Sequence, residues 1–225
     1  IHDVRQITGC PQPDPACDGL LPFVLSRLRR VRPRIEDLGH KIRFSVSRGP
    51  LNIASFLMGS TEFLLALKIE PQAVHALLRK ITDFLIRWHA LQRETFPTID
   101  GILVLDDVVG FLSEKDFLTF GFPYFKELYA TDLKVKFFHN DSSCVRSVRH
   151  YPAMGVNLFN PGAQNSLNEL RELAKRHLGS PHPEVTFDNQ RSVSPRWDPD
   201  ESVTLLGAGV QSEDRHDQEV TFHGF

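Results

Sequence analysis

The sequence predicts an α/β protein built on parallel strands, and three observations carry the prediction. Strand-length stretches rich in apolar residues at 101–105, 134–138 and 154–159 each stop abruptly in polar residues. Segments of helical length separate those runs, an order that implies parallel strands joined by right-handed crossovers. The run Gly101-Ile102-Leu103-Val104-Leu105 is unbroken by polar residues, the mark of a strand buried on both faces.

In chain order, Gly9-Cys10-Pro11-Gln12-Pro13-Asp14-Pro15 reads as an extended or turning surface segment, because its prolines fix φ and withhold amide donors. Leu20 to Arg30 carries a helical apolar stripe with a stop expected before Pro33. Ile42-Arg43-Phe44-Ser45-Val46 alternates as a strand does, and Ser47-Arg48-Gly49-Pro50 closes it with a turn. A helix is expected to begin over Leu51 to Met58. Pro71 to Phe96 is the clearest helix, with Ala73, Val74, Leu77, Leu78, Ile81, Phe84, Leu85 and Trp88 recurring every three or four residues and Pro71 in the first turn.

After the 101–105 strand, Ser113 is the expected N-cap of a further helix, with Asp116 three positions on. Lys134 to Asp141 and Met154 to Asn160 repeat the design of an apolar strand with polar groups at its carboxyl end. Asn168 to Leu178 is a plausible helix; beyond it only Val203-Thr204-Leu205-Leu206-Gly207 resembles a core strand. The expected organisation is an irregular segment over 1–19, a core over 20–179, and an irregular stretch or remaining part of the fold over 180–225.

In such folds ligands bind where the βα loops converge, at the carboxyl ends of the strands. Asp106, Asp107, His139, Asn140, Asp141 and Asn160 are thereby placed on one rim. Adjacent strand residues point to opposite faces, so only one of Asp106 and Asp107 enters the mouth while the other orients a neighbour. The alternative for this pair is structural, since acidic residues at strand ends cap helices and bind turn amides. His139 could be a core histidine; the strand behind it and Asn140-Asp141 after it favour a metal ligand or proton donor. Tyr124 reads as a packing residue, and His182, His216 and His223 carry little signal.

Composition narrows the function classes. Of 225 residues, 41% are hydrophobic, enough for a substantial core, and Lys+Arg total 26 against Asp+Glu 28. The formal charge of −2 leaves no positive excess to hold a phosphate backbone, so no nucleic-acid partner is expected. The apolar runs are far shorter than the roughly 20 residues that cross a bilayer, so no membrane partner is expected either. Three cysteines, Cys10, Cys17 and Cys144, do not suit a disulfide framework. A reducing, cytoplasmic location is the expectation.

From Gly49 to Gly162 the sequence resembles the uroporphyrinogen decarboxylase superfamily, which includes cobalamin-linked methyltransferases. The resemblance rests on an ordered set: Gly49-Pro50-Leu51-Asn52-Ile53-Ala54-Ser55-Phe56 with Met58-Gly59, Asp106 to Ser113, Phe122-Pro123-Tyr124, Phe138-His139-Asn140-Asp141, and Gly155 to Asn160. It implies a (β/α)8 TIM barrel, here complete or truncated, with its site in the carboxyl-end mouth. A full barrel typically takes about 250 residues, so an incomplete one is expected, with sheet edges covered by a partner or by a second copy in a homodimer.

Departures from the family pattern shape the functional expectation. The decarboxylase's arginine-bearing motif has no counterpart before Gly49; Arg5, Arg27 and Arg48 are poor substitutes. Phe56 stands where that enzyme has tyrosine, and Asp107 where it has serine, a carboxylate that would repel a polyanionic porphyrinogen. The methyltransferase branch holds zinc with a His-x-Cys pair and a later cysteine. Here the pair reads His139-Asn140-Asp141, so His139 and Asp141 could ligate zinc, with Cys144 or Asp107 completing the set.

The leading expectation is a corrinoid-linked methyltransferase acting on a small methylated compound or thiol. Asp107 and His139 would be catalytic; Phe56, Asp106, Asn140 and Asn160 would contact substrate; His139, Asp141 and Cys144 would hold zinc. A corrinoid protein would be the partner and methyl carrier. The alternatives are a uroporphyrinogen decarboxylase variant, in which Asp107 or His139 handles the proton, and a non-catalytic binding barrel.

Overall fold

The computed structural model describes residues 3–175 and 186–187. Among the described residues five strands form one sheet: β1 (Phe44–Arg48), β2 (Gly101–Leu105), β3 (Val135–Asn140), β4 (Leu158–Pro161) and β5 (Thr186–Phe187). Their spatial order is their chain order, and every neighbouring pair is parallel. Winding in one direction without reversal is the winding of a (β/α)8 barrel wall and distinguishes it from a doubly wound open sheet.

The helices are α1 (Leu21–Asp37), α2 (Pro50–Met58), α3 (Ser60–Ile69), α4 (Pro71–Thr95), α5 (Glu114–Asp116), α6 (Phe122–Leu128), α7 (Tyr151–Met154) and α8 (Leu167–Lys175). Alternation along the strands decides what they cover. Ser45, Ile102, Val104, Phe138 and Phe159 point outward and are at most 1% exposed. Ile102, Val104, Phe138 and Phe159 share one core with Leu77, Leu78 and Ile81 of α4 and Phe125 and Leu128 of α6. Aromatic rings fill its centre, with Phe138 lying 5.3 Å from Phe125, 5.0 Å from Tyr151 and 5.9 Å from Phe159. The inward positions Val46, Leu103, Leu105 and Leu158 remain partly open.

Several boundaries differ from those read in the sequence. β1 begins and ends two residues later, because Ser47 and Arg48, expected in the turn, pair with Val104 and Leu105. Helix α1 continues through Pro33, whose ring removes one intrahelical bond; the helix resumes with Leu38 N–H donating to Arg34 C=O at 3.3 Å. Met154 ends α7 instead of opening a strand, since Gly155 adopts φ 97° as a left-handed cap, and β4 starts at Leu158. Ser113 caps α5 as expected, accepting from Asp116 N–H at 3.1 Å. The segment around Thr186, read as irregular or as a remaining part of the fold, supplies β5. The expected strand at Val203–Gly207 and the histidines at 182, 216 and 223 lie outside the described residues.

The expected irregular N-terminal segment contains a 3₁₀ helix, Val4–Gly9, that buries Val4 and Ile7 against the main core. Arg87 of α4 donates to Pro13 C=O at 2.6 Å and Gln12 donates to Lys80 C=O at 2.8 Å, tying this segment to the outer side of α4. No single helix among the described residues is long and apolar enough to cross a membrane. The bent pair α2 and α3 meets length and composition only jointly, across a 105° break at Gly59.

Candidate active site and metal centre

The carboxyl ends of β1 to β4 place four residues side by side. Parallel pairing aligns Arg48 with Leu105, Leu105 with His139, and His139 with Asn160, so these side chains project to the same, inner face. His139 Nδ1 lies 2.6 Å from Asn160 Oδ1. An amide oxygen only accepts, so Nδ1 donates to it and Nε2 is the ring atom turned toward Asp141 and within reach of a metal. His139 Nε2 lies 3.2 Å from Asp141 Oδ2.

Asp107 completes the cluster from the loop after β2. Its Oδ1 accepts from Asp141 N–H at 2.8 Å, which ties the loops after β2 and β3 together. Its Oδ2 lies 3.7 Å from Arg48 Nη1. Asp107, His139 and Asp141 each offer a ligand atom, all within 4.8 Å of one another. His139 is 16% exposed at its side chain and Asp141 63%, so the Asp141 carboxylate is free to swing toward an ion. One nitrogen and two carboxylate oxygens suit zinc, which binds such atoms at about 2.0–2.2 Å and in catalytic sites keeps a position open for substrate. The donor set therefore fits after a contraction of the trio.

Asp106 lies apart from the mouth. It is fully buried beneath the start of α2, where Oδ2 accepts from Leu51 N–H at 2.9 Å and Asn52 N–H at 3.1 Å. Oδ1 accepts from Val108 N–H at 3.2 Å. The carboxylate thus replaces a side-chain N-cap that Gly49 cannot supply. Gly49 is required here, because a Cβ on it would come within 2.3 Å of Asp106 Oδ2. Burial outweighs the three amides and pushes the Asp106 pKa up to about 7.

Asn140, also expected to contact substrate, is fully buried and points away from the mouth, since its neighbour His139 occupies the inward position. Its Oδ1 accepts from Ser142 N–H at 2.7 Å, and Ser142 Oγ lies 2.6 Å from Asp107 C=O. Asn140 therefore shapes the loop that carries Asp141. Cys144 is likewise outside the trio: it is fully buried in the main core, and burial pushes its thiol up to about 12, which disfavours the thiolate that zinc requires. Phe56 of α2 is 68% exposed. Tyr124 is buried and lies 2.8 Å from His75 Nδ1 through its hydroxyl, a packing position.

Two glycines not singled out in the sequence let the rim loops close on each other. A Cβ at Gly110 would meet Ser142 Oγ at 2.0 Å, and one at Gly162 would meet Asp141 C=O at 2.2 Å. Asn165 holds the same loops from below, donating to Ser142 C=O and Gly162 C=O at 3.1 Å each. Arg48 was dismissed as a substrate-gripping residue, although its place at the end of β1 is the signal that puts it in the same layer as His139.

A family model described as uroporphyrinogen decarboxylase matches residues 1–191. A curated uroporphyrinogen decarboxylase of Myxococcus xanthus is 32% identical over 145 residues, which cover 60% of this chain and 40% of that protein. One of Pseudoalteromonas atlantica is 28% identical over 134 residues, covering 57% and 36%. Among solved structures, a methyltransferase from Methanosarcina mazei superposes with a TM-score of 0.63 at 18% identity, covering 74% of this chain and 50% of that one. The chain thus matches between a third and two-fifths of these curated relatives and half of the methyltransferase.

Proposed function

Because the chain belongs to the uroporphyrinogen decarboxylase family, we propose that its mouth is the metal centre of a corrinoid-linked methyltransferase acting on a small methylated compound or thiol. The observation that carries this reading is the convergence of Asp107, His139 and Asp141 at the carboxyl ends of adjacent strands, with Asn160 fixing the His139 tautomer. The resemblance in fold to a methyltransferase supports it, and so does Asp107, whose charge is adverse to a polyanionic porphyrinogen.

Zinc held by Asp107, His139 and Asp141 would supply a Lewis acid that keeps a substrate thiol as thiolate at neutral pH. The protein's residues perform the positioning. Asn160 orients His139; the Asp141 amide orients Asp107; Gly110 and Gly162 allow the loops carrying both aspartates to approach. Methyl transfer in the thiol direction forms a sulfur–carbon bond and breaks the cobalt–carbon bond of methylcobalamin, whose electron pair stays on cobalt as cob(I)alamin. Anaerobic incubation of the zinc-loaded protein with methylcobalamin and small thiols tests the proposal. The visible spectrum should shift from methylcobalamin to cob(I)alamin, and Asp107→Asn should slow the shift at least about tenfold. No shift of methylcobalamin with any thiol, together with no methylation of cob(I)alamin by any methylated donor, would contradict it.

A second reading is supported by the names of the curated relatives: a uroporphyrinogen decarboxylase variant, in which Asp107 or His139 delivers the proton to the pyrrole. Release of carbon dioxide from uroporphyrinogen by metal-free protein would favour it over methyl transfer.

A further inference from the structure

Arg48 has no role in the account above, yet among the described residues its guanidinium lies beside the trio. It ends β1, shares the inward layer with His139, and its side chain is 45% exposed. Its Nη1 is 3.7 Å from Asp107 Oδ2, beyond hydrogen-bond distance, so the contact is a loose, solvent-screened ion pair. Asp107 Oδ1 is committed to the Asp141 amide. The oxygen left for a metal is therefore the one that Arg48 faces.

Charge counting then sets a sequence of events. With His139 neutral, Asp107 and Asp141 against Arg48 leave the mouth with one net negative charge. A dication on Asp107, His139 and Asp141 reverses this to one net positive charge, repels the guanidinium, and takes up the charge of Asp107 that holds it.

We propose that Arg48 is the anion-binding residue of the mouth, held by Asp107 while the metal is absent and released to a small carboxylate ligand once the metal is bound. This rests on the metal reading of the trio. Metal and carboxylate then bind with positive coupling, and linkage requires that each tighten the other by the same factor. Arginine suits the role, since its planar fork matches a carboxylate with two parallel N–H donors.

Zinc titration calorimetry of the full chain tests this, with propionate as the anionic probe and propionamide as its neutral isostere, on wild type and Arg48→Met. Wild type should bind zinc about five- to tenfold more tightly with propionate than without it, and propionamide should have no effect. Arg48→Met should bind zinc at least as tightly as wild type, because a repelling charge is gone, and should show no propionate effect. An equal propionate effect in both proteins, or none in wild type that binds zinc, would overturn the role of Arg48 alone. Failure of wild type to bind zinc would overturn it together with the metal reading.

Discussion

Two buried ionisable residues give the protein opposite pH dependences that offset each other. Asp106 has a folded pKa of about 7, above its ordinary value of 3.8, so its contribution is full below about pH 4 and is lost as pH rises toward 7. His89, held 2.8 Å from both Ser45 Oγ and Ser47 Oγ, has a folded pKa lowered to about 3 by burial. Its contribution is full above pH 6.5 and is lost as pH falls toward 3. Between about pH 4 and 6.5 the folded state retains one more proton at Asp106 and one fewer at His89, so the slopes cancel. Urea unfolding across this range should give a nearly level stability for these two groups. Asp106→Asn should leave a stability that falls by up to a few kcal/mol on acidification, and His89→Gln one that falls on raising the pH. Parallel profiles in the two variants would contradict the assignment.

The cysteines follow from burial in the same way. Cys10 and Cys17 are exposed and Cys144 is buried. A maleimide counted by mass spectrometry should add to two thiols in native protein and to three in denaturant; a native count of three would contradict the burial of Cys144. At this scale strand alternation was legible where it was applied. It set Asp106 and Asp107 on opposite sides, with Asp106 fully buried and Asp107 36% exposed at its side chain, while the choice of Asp107 as the inward one came from the family resemblance. Applied to His139 and Asn140, it would also have turned Asn140 away from the mouth. Cys144 was not legible, because the turn that buries its thiol depends on Tyr151 and Val148, which the spacing of ligands does not reveal.

Among the elements, α4 does more than cover the sheet. The outer edge of β1 exposes Val46 to pairing, and α4 satisfies it: Gln92 accepts from Val46 N–H at 2.9 Å and donates to its C=O at 3.2 Å, while Trp88 Nε1 donates to that C=O at 3.0 Å. A primary amide thereby mimics the next strand and protects the edge. Gln92→Ala should cost about 1–2 kcal/mol in chemical denaturation and raise exchange of the Val46 amide; unchanged exchange would contradict the edge role. The helical run after α5 passes through a π turn at Phe117–Gly121 into α6. Phe122 N–H bonds to Phe117 C=O there, which accommodates Pro123, a residue that a regular α-helix interior would exclude. Long periodic elements such as α4 and β2 were readable in the sequence to within about a residue. Short ones were not, because two paired residues in β5 carry no period and draw their stability from the β4 edge.

On the scale of the whole molecule, the described residues form a one-way parallel wall whose outer face is packed and whose inner face stays partly open. That polarity brings Arg48, Asp107, His139, Asp141 and Asn160 together on the inner face at the carboxyl ends, where the proposed function lies. The α/β class and the rim were legible from apolar runs ending in polar groups; the barrel itself came from the ordered family motifs, and sequential parallel pairing agrees with them. The family pattern named His139 and Asp141 for the trio, but the choice between Cys144 and Asp107 as its third member was not legible, since Asp107 joins through the loop contact with the Asp141 amide, across 34 residues of chain.

The central claim is that this trio holds a metal. Zinc content of the monodisperse protein, measured by elemental analysis after zinc loading and desalting, tests it directly alongside His139→Ala and Cys144→Ser. About one zinc per chain in wild type and Cys144→Ser, lost in His139→Ala, is the predicted result. Zinc absent from wild type, or lost with Cys144 and retained without His139, would contradict the account.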